Sequence, residues 1–144
     1  MTQILLVGHG DYAKTLLETA QMLTGASDRA LAIQFPVGTG VEDLSAQVAA
    51  AIDTLAAKRD ENGMSEQVLV LADVVGGSPA RVALGEVLAG RAEVVTGANL
   101  PMLIEALAGA RKTAPADLAR KVVASAQSGI RHFGSDLREG GVSA

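Results

Sequence analysis

Short apolar runs that end at a glycine or an aspartate alternate along this chain with segments of helical periodicity. Ile4 to Val7 runs into Gly8, and Val68 to Ala72 runs into Asp73. Such short continuous apolar runs are typical of strands buried on both faces of a parallel sheet, and parallel strands need helical crossovers between them. The alternation therefore predicts a three-layer α/β/α fold with a mostly parallel central sheet.

The same pattern predicts the positions of the individual elements. Gly25 stands where a glycine commonly ends a helix, and Pro79 and Pro115 stand where a proline commonly begins one. The four predicted parallel strands span residues 4–7, 30–37, 68–72 and 92–96. The predicted helices span residues 11–24, then a segment through Leu44 that ends near 58–59, and segments that follow Pro79, Pro101 and Pro115.

The length and the C-terminal sequence predict one domain with a tail. A chain of 144 residues is about the length of a single domain, assigned here to residues 1–134, and the glycines and serines after it predict a flexible tail over 135–144. Ile130 to Phe133 is predicted to form a short antiparallel edge strand. Its alternation gives no clean apolar face, so we expect its partner edge to come from a second subunit in a homodimer.

Composition excludes several classes of function. A net charge of −4 is the opposite of the basic surface that nucleic acid binding requires. With no cysteine and only two histidines, a transition-metal site is poorly supported, and no metal or cofactor is predicted. Each apolar stretch is too short to insert into a membrane, and no phosphate-binding loop motif for a nucleotide is present.

Two polar residues follow predicted strands and become the candidate catalytic pair. His9 lies between Gly8 and Gly10, whose small size leaves the imidazole reachable by a docking partner, and Asp73 emerges from the buried third strand. Ligands of parallel sheets bind at the carboxyl ends of the strands, so the two side chains are expected to meet. A carboxylate that accepts one ring N–H leaves the other ring nitrogen as a nucleophile. The simpler alternatives are a turn histidine and a strand-end or helix-capping aspartate.

Two further turns are predicted at the same edge of the sheet. Gly76, Gly77 and Ser78 begin a helix whose free N–H groups can bind a phosphoryl group or a partner, although this is also an ordinary helix start. Asn99 and Pro101 form a weaker candidate for partner binding. A further candidate, Arg81, can meet a phosphate or an acidic partner, although exposed arginines are usually solvated.

These motifs together resemble a known family. The turn at 8–10, the segment 71–79 (LADVVGGSP) and the segment 97–103 (GANLPML) resemble, in order and position, the IIA domain of the mannose family of the bacterial phosphoenolpyruvate-dependent sugar phosphotransferase system. The resemblance covers residues 1 to about 134. It implies that His9 matches the phosphorylated histidine and that Asp73 matches the aspartate that holds its ring.

The resemblance also implies partners and a compartment. Family members are cytoplasmic phosphoryl carriers that take phosphate from the histidine phosphocarrier HPr and pass it to a IIB component, and they form dimers by exchanging the last strand. Two alternatives stay open: a regulatory module whose phosphohistidine state gates binding to another protein, and the related subunit of dihydroxyacetone kinases. The sugar cannot be read from the sequence, because a phosphoryl carrier never contacts it.

Overall fold

The computed structural model describes residues 1–26 and 28–140 and consists of a parallel sheet between two layers of helices. In chain order the elements are β1 (Thr2–His9), α1 (Tyr12–Thr24), β2 (Ala30–Phe35), α2 (Val41–Ala56), β3 (Gln67–Ala72), α3 (Ser78–Leu88), β4 (Glu93–Val95), α4 (Leu100–Gly109), α5 (Pro115–Ser128) and α6 (Phe133–Arg138). The predicted α/β/α fold class is confirmed.

All four strands are parallel and follow the order β2-β1-β3-β4. β1 and β3 occupy the centre of the sheet, and their register aligns Val7 with Ala72. The next residues of these two strands therefore leave the sheet side by side. This register brings His9 and Asp73 to the same carboxyl edge.

The sheet separates two apolar cores. Side chains of alternate residues in β1 and β3 point to opposite faces, as the pleat of a strand requires. Ile4, Leu6 and Leu69 pack against α1, α4 and α5, whereas Leu5 and Val70 pack against α2 and α3. Both central strands are thus buried on both sides, which explains their continuous apolar runs.

The strand and helix ends differ slightly from the prediction, for local reasons. β2 ends at Phe35 and not at residue 37, because Pro36 has no N–H to donate to a neighbouring strand. β1 begins earlier, at Thr2, whose buried hydroxyl donates to the carbonyl of Thr113 at 2.6 Å. Gly25 ends α1 with φ 71°, as predicted for the glycine that follows a helix.

The predicted edge strand at Ile130 to Phe133 does not form within the single chain. Residues 130–132 have no regular structure, Phe133 begins α6, and the sheet within the described ranges has four strands. As a strand, this segment would place Ile130 on one face and Phe133 on the other, so that neither face would be fully apolar. The spacing of Phe133 and Leu137 instead suits a helix, because residues four apart share a helical face.

The predicted boundary between the domain and its tail falls inside α6. This helix crosses residue 134 and ends at Arg138. Residues 141–144 of the predicted tail lie outside the described residues. The division at residue 134 therefore stays a prediction.

Candidate functional site

His9 and Asp73 contact each other directly at the carboxyl edge of the sheet. Oδ2 of Asp73 accepts hydrogen bonds from both the backbone N–H of His9, at 2.8 Å, and the ring Nδ1 of His9, at 2.7 Å. An acceptor at Nδ1 fixes the proton on that nitrogen and leaves Nε2 with its lone pair. Because the imidazole is 50% exposed, a second molecule can approach this side chain from solvent.

Asp73 is held as an ionised carboxylate. Burial by itself raises the pKa of this carboxyl. Hydrogen bonds from the backbone and ring of His9 and from the backbone of Val74, together with the electrostatic attraction of His9, lower the pKa by more than burial raises it. The pKa of Asp73 is therefore below the usual 3.8. The carboxylate is 13% exposed, compared with 50% for the imidazole. The pair thus combines a sheltered negative charge with an accessible ring.

The backbone around Asp73 connects three strands. The N–H of Asp73 donates to the carbonyl of Val7 at 3.2 Å, and its carbonyl accepts from Gly97 at 2.6 Å. Ala98 donates to Ala72 at 3.0 Å. The aspartate is therefore fixed by β1 on one side and by the turn after β4 on the other.

The turn before α3 packs directly on the imidazole. A Cβ atom at Gly77 would lie 2.8 Å from Cε1 of His9, which is closer than real Cβ atoms approach, and 3.1 Å from Cγ1 of Val74, which is a tight contact. Gly76 has φ 81°, a conformation that glycine adopts without strain. The two glycines therefore have different roles, since Gly76 allows the turn and Gly77 allows the contact.

The start of α3 offers fewer N–H donors than the sequence suggested. The N–H of Gly77 donates to the carbonyl of Val74 at 3.2 Å, and Pro79, within the first turn, has none. Ser78 contributes the first N–H of the helix. A phosphoryl group beside His9 thus meets only part of the helix terminus that the sequence predicted.

Asn99 and Pro101 contribute to the packing of helices and do not line the cleft beside His9. Oδ1 of Asn99 accepts from the N–H of Met102 at 3.0 Å and caps α4, while its Nδ2 donates to the carbonyl of Ala126 at 3.1 Å. Gly129 packs on Pro101, where a Cβ would lie 2.5 Å from the ring. These residues fix the turn that carries Gly97 and Ala98.

Two aromatic residues that the sequence reasoning did not assign to the site flank His9. The Phe35 ring lies 5.7 Å from the imidazole, and the backbones of Phe35 and Gly10 exchange hydrogen bonds of 3.2 and 2.8 Å. Tyr12 donates its hydroxyl to the carbonyl of Ala98 at 2.6 Å. The chain has only three aromatic residues, and this scarcity was the one sequence feature that could have drawn attention to Tyr12 and Phe35.

The cleft beside the pair is mainly apolar. Its volume is about 600 Å³, and its wall includes the exposed side chains of Val74 and Val75, the latter 76% exposed. The lining residues are His9, Tyr12, Asp73, Val74, Val75, Thr96, Gly97 and Ala98. Adjacent apolar side chains left in water are typical of a surface that docks another protein.

The described ranges contain no cluster of three or more side chains suited to hold a metal ion.

The fold and the site define an α/β domain that presents a carboxylate-bound histidine at the carboxyl edge of its sheet. The EIIA-man family, described as the fructose IIA component of the phosphotransferase system (PTS), matches residues 3–123, and the chain belongs to this mannose-type IIA family. It therefore has a phosphoryl-transfer role in the sugar phosphotransferase system.

Individual relatives agree with this family. The chain is 27% identical to the PTS fructose-specific EIIA component of Bacillus subtilis strain 168 over 132 residues, which cover 91% of this chain and 86% of that protein. It is 30% identical to the sorbose-specific EIIA component of Lacticaseibacillus casei over 117 residues, 81% of this chain and 79% of that protein.

A solved structure shows the same fold. The crystal structure of the phosphotransferase system component EIIA from Streptococcus agalactiae superposes with a TM-score of 0.80 at 26% identity and covers 94% of this chain and 99% of that one. These similarities do not favour the regulatory module or the dihydroxyacetone kinase subunit. In the described part of the chain, no helix has both the length and the apolar character needed to span a bilayer.

Proposed function

We propose that this chain is a cytoplasmic phosphoryl carrier that accepts phosphate from HPr on His9 and passes it to a IIB component. The observation that carries the proposal is the double hydrogen bond from His9 to Oδ2 of Asp73. It orients the ring, fixes its tautomer and leaves Nε2 without a proton on a half-exposed side chain.

The transfer is an exchange of one nitrogen–phosphorus bond for another. The Nε2 lone pair of His9 attacks the phosphorus of the HPr phosphohistidine, the new bond forms as the donor bond breaks, and the electron pair stays on the donor imidazole. The positive charge that develops on the His9 ring is balanced by Asp73. A IIB nucleophile then attacks the same phosphorus, and the electron pair returns to Nε2.

The surrounding residues position this reaction. Gly77 borders the ring, and Ser78 follows it as the first residue of α3, where the helix dipole favours a negative group. Gly10 and Gly76 allow the two turns, and Asn99 and Pro101 act indirectly by fixing the turn beside Asp73. Val74 and Val75 give the docking partners an apolar surface.

The proposal is tested by following labelled phosphate through the reconstituted relay. The chain is incubated with labelled phosphoenolpyruvate, enzyme I and HPr, and a IIB component is then added. We expect acid-labile label on this chain first and its loss to IIB second. Absence of label on the chain, with HPr fully phosphorylated, contradicts the proposal.

Replacing Gly77 with alanine is expected to slow phosphorylation by about 10- to 100-fold, because displacing a reacting group by even 1 Å has effects of that size. The backbone at Gly77 has φ −74°, which alanine adopts freely, so the methyl group acts on the His9 ring and not on the chain conformation. The rate is measured in a single turnover with phospho-HPr.

Gly85 provides the matched control for this variant. It lies within α3, where an added Cβ meets nothing within 4 Å, and alanine favours a helix over glycine. Gly85→Ala should therefore transfer at the wild-type rate. Equal rates for Gly77→Ala and Gly85→Ala would show that the contact with Cε1 does not matter for transfer.

We further propose that residues 1–134 form the IIA domain and that the chain is a homodimer in which the segment 130–133 pairs with the sheet of a second copy. Ile130 and Leu137 are 75% and 65% exposed in the single chain. Contact with a second copy would remove these apolar side chains from water and so stabilise the dimer. Exchange of an identical segment is a low-cost route to a two-fold dimer.

A chain ending at Gly129 is expected to sediment as a monomer at micromolar concentration, whereas the full chain sediments as a dimer. This truncation keeps α5 and the contact of Gly129 with Pro101. A full chain that sediments as a monomer, or a truncated chain that still dimerises, argues against the exchange.

A further inference from the structure

Arg81 lies one helical turn after Gly77, the residue that packs on His9. It is four residues after Gly77, its N–H donates to the carbonyl of Gly77 at 3.0 Å, and residues four apart share a helical face. Its side chain turns back toward the start of the helix, where Nε donates to the carbonyl of Gly76 at 3.0 Å. The guanidinium is thus tied to the turn that packs on the imidazole.

A phosphoryl group on His9 needs positive charge that the helix start supplies only in part. The phosphoryl group adds negative charge beside the carboxylate of Asp73, which is already ionised. The N–H of Gly77 is used within the turn, and Pro79 has no N–H. Phosphoryl transfer depends on positioning and on stabilising this charge.

Arg81, unlike four other described arginines, has no carboxylate partner. Among the described residues, no Asp or Glu pairs with Arg81, and its side chain is exposed. The arginines that do pair with carboxylates are Arg29, Arg91, Arg111 and Arg120. Because Nε anchors the guanidinium, both Nη groups stay available as a fork for phosphate oxygens.

We propose that the Nη groups of Arg81 bind the oxygens of the phosphoryl group carried by Nε2 of His9. This inference rests on the proposed function of His9 as the phosphoryl carrier. Arg81 forms no covalent bond in this step. It holds the phosphoryl group in place and balances its charge as the two nitrogen–phosphorus bonds exchange.

The test compares Arg81→Gln and Arg81→Lys with wild type at saturating phospho-HPr. We expect Arg81→Gln to lower the single-turnover rate by about 10²-fold, as loss of one preorganised donor does, with partial recovery in Arg81→Lys because the charge is restored without the fork. Arg120→Gln is the control, since Arg120 pairs with Asp117 within α5. All variants should keep the wild-type melting temperature.

Chemical phosphorylation separates this inference from the proposed function. Phosphoramidate phosphorylates histidine without a protein donor, and the ³¹P chemical shift and hydrolysis half-life of the product report on contacts of the phosphoryl group. We expect both to change in Arg81→Gln. Wild-type values for both, or a change only in the HPr concentration that half-saturates transfer, would overturn the inference even where His9 is the carrier. Failure of phospho-HPr to label wild type would contradict the proposed function alone.

Discussion

His9→Ala is expected to abolish acid-labile phosphate incorporation from phospho-HPr. The substitution removes Nε2, which is the nucleophile in the proposed transfer. The fold should persist, because the side chain is half-exposed and lies at the end of β1 outside both cores. Incorporation is measured as label bound to the chain after the reaction with phosphoenolpyruvate, enzyme I and HPr.

His132 is the matched control, since it is the only other histidine in the sequence. It lies in the segment between α5 and α6 and does not line the cleft of His9. His132→Gln should incorporate phosphate as wild type does. Full incorporation by His9→Ala, or equal loss in both variants, would place the chemistry elsewhere.

Asp73→Asn is expected to slow transfer by at least about 10²-fold, toward the roughly 10⁴-fold loss that follows when an amide replaces the carboxylate of a catalytic triad. If the amide NH₂ faces His9, it opposes two donors and forces the ring into the wrong tautomer. If the amide turns over, the NH₂ instead takes the buried position of Oδ1 beside the backbone of Val74. Either arrangement also removes the charge that balances the ring.

Asp11→Asn controls for the change in net charge, because Asp11 is an exposed acid two residues from His9. Its transfer rate should stay near wild type.

Since the folded pKa of Asp73 is below 3.8, the stability gained from its ionised form is present above pH 3.8 and is lost as pH falls through the folded pKa. The stability difference between wild type and Asp73→Asn should therefore shrink below pH 3.8. Unchanged transfer in Asp73→Asn would remove the carboxylate from the mechanism.

The meeting of His9 and Asp73 was predictable because position in a parallel sheet determines it. Each residue follows an apolar run, each run is a central strand, and neighbouring parallel strands end at the same edge. The positions of His9 and Asp73 could therefore be predicted without knowing how the side chains pack. The contact between His9 and Asp73 therefore follows from the strand pattern and the topology of the sheet.

The flanking aromatic residues were not predictable, because their contacts join distant segments. Tyr12 reaches a carbonyl 86 residues away, and Phe35 meets His9 only because β2 is the neighbour of β1 in the sheet. The direction of the Gly77 N–H depends on the turn geometry. No local pattern encodes any of these contacts.

The sequence also contains local helix signals at Asn99 and at Phe133. Asn99 precedes a helix that begins with Leu100 and Pro101, an arrangement typical of a capping residue, and the structure uses its amide in that way. Phe133 and Leu137 have helical spacing, and α6 begins at Phe133 in the single chain.

In the proposed mechanism Asp73 holds Nδ1 of His9 so that Nε2 carries the phosphate. Nuclear magnetic resonance of the ¹⁵N-histidine-labelled chain, after phosphorylation by phospho-HPr, tests this most directly through the coupling between nitrogen and phosphorus. The arrangement predicts coupling at Nε2 of His9 and a protonated Nδ1. Coupling at Nδ1, or phosphate on any residue other than His9, would contradict it.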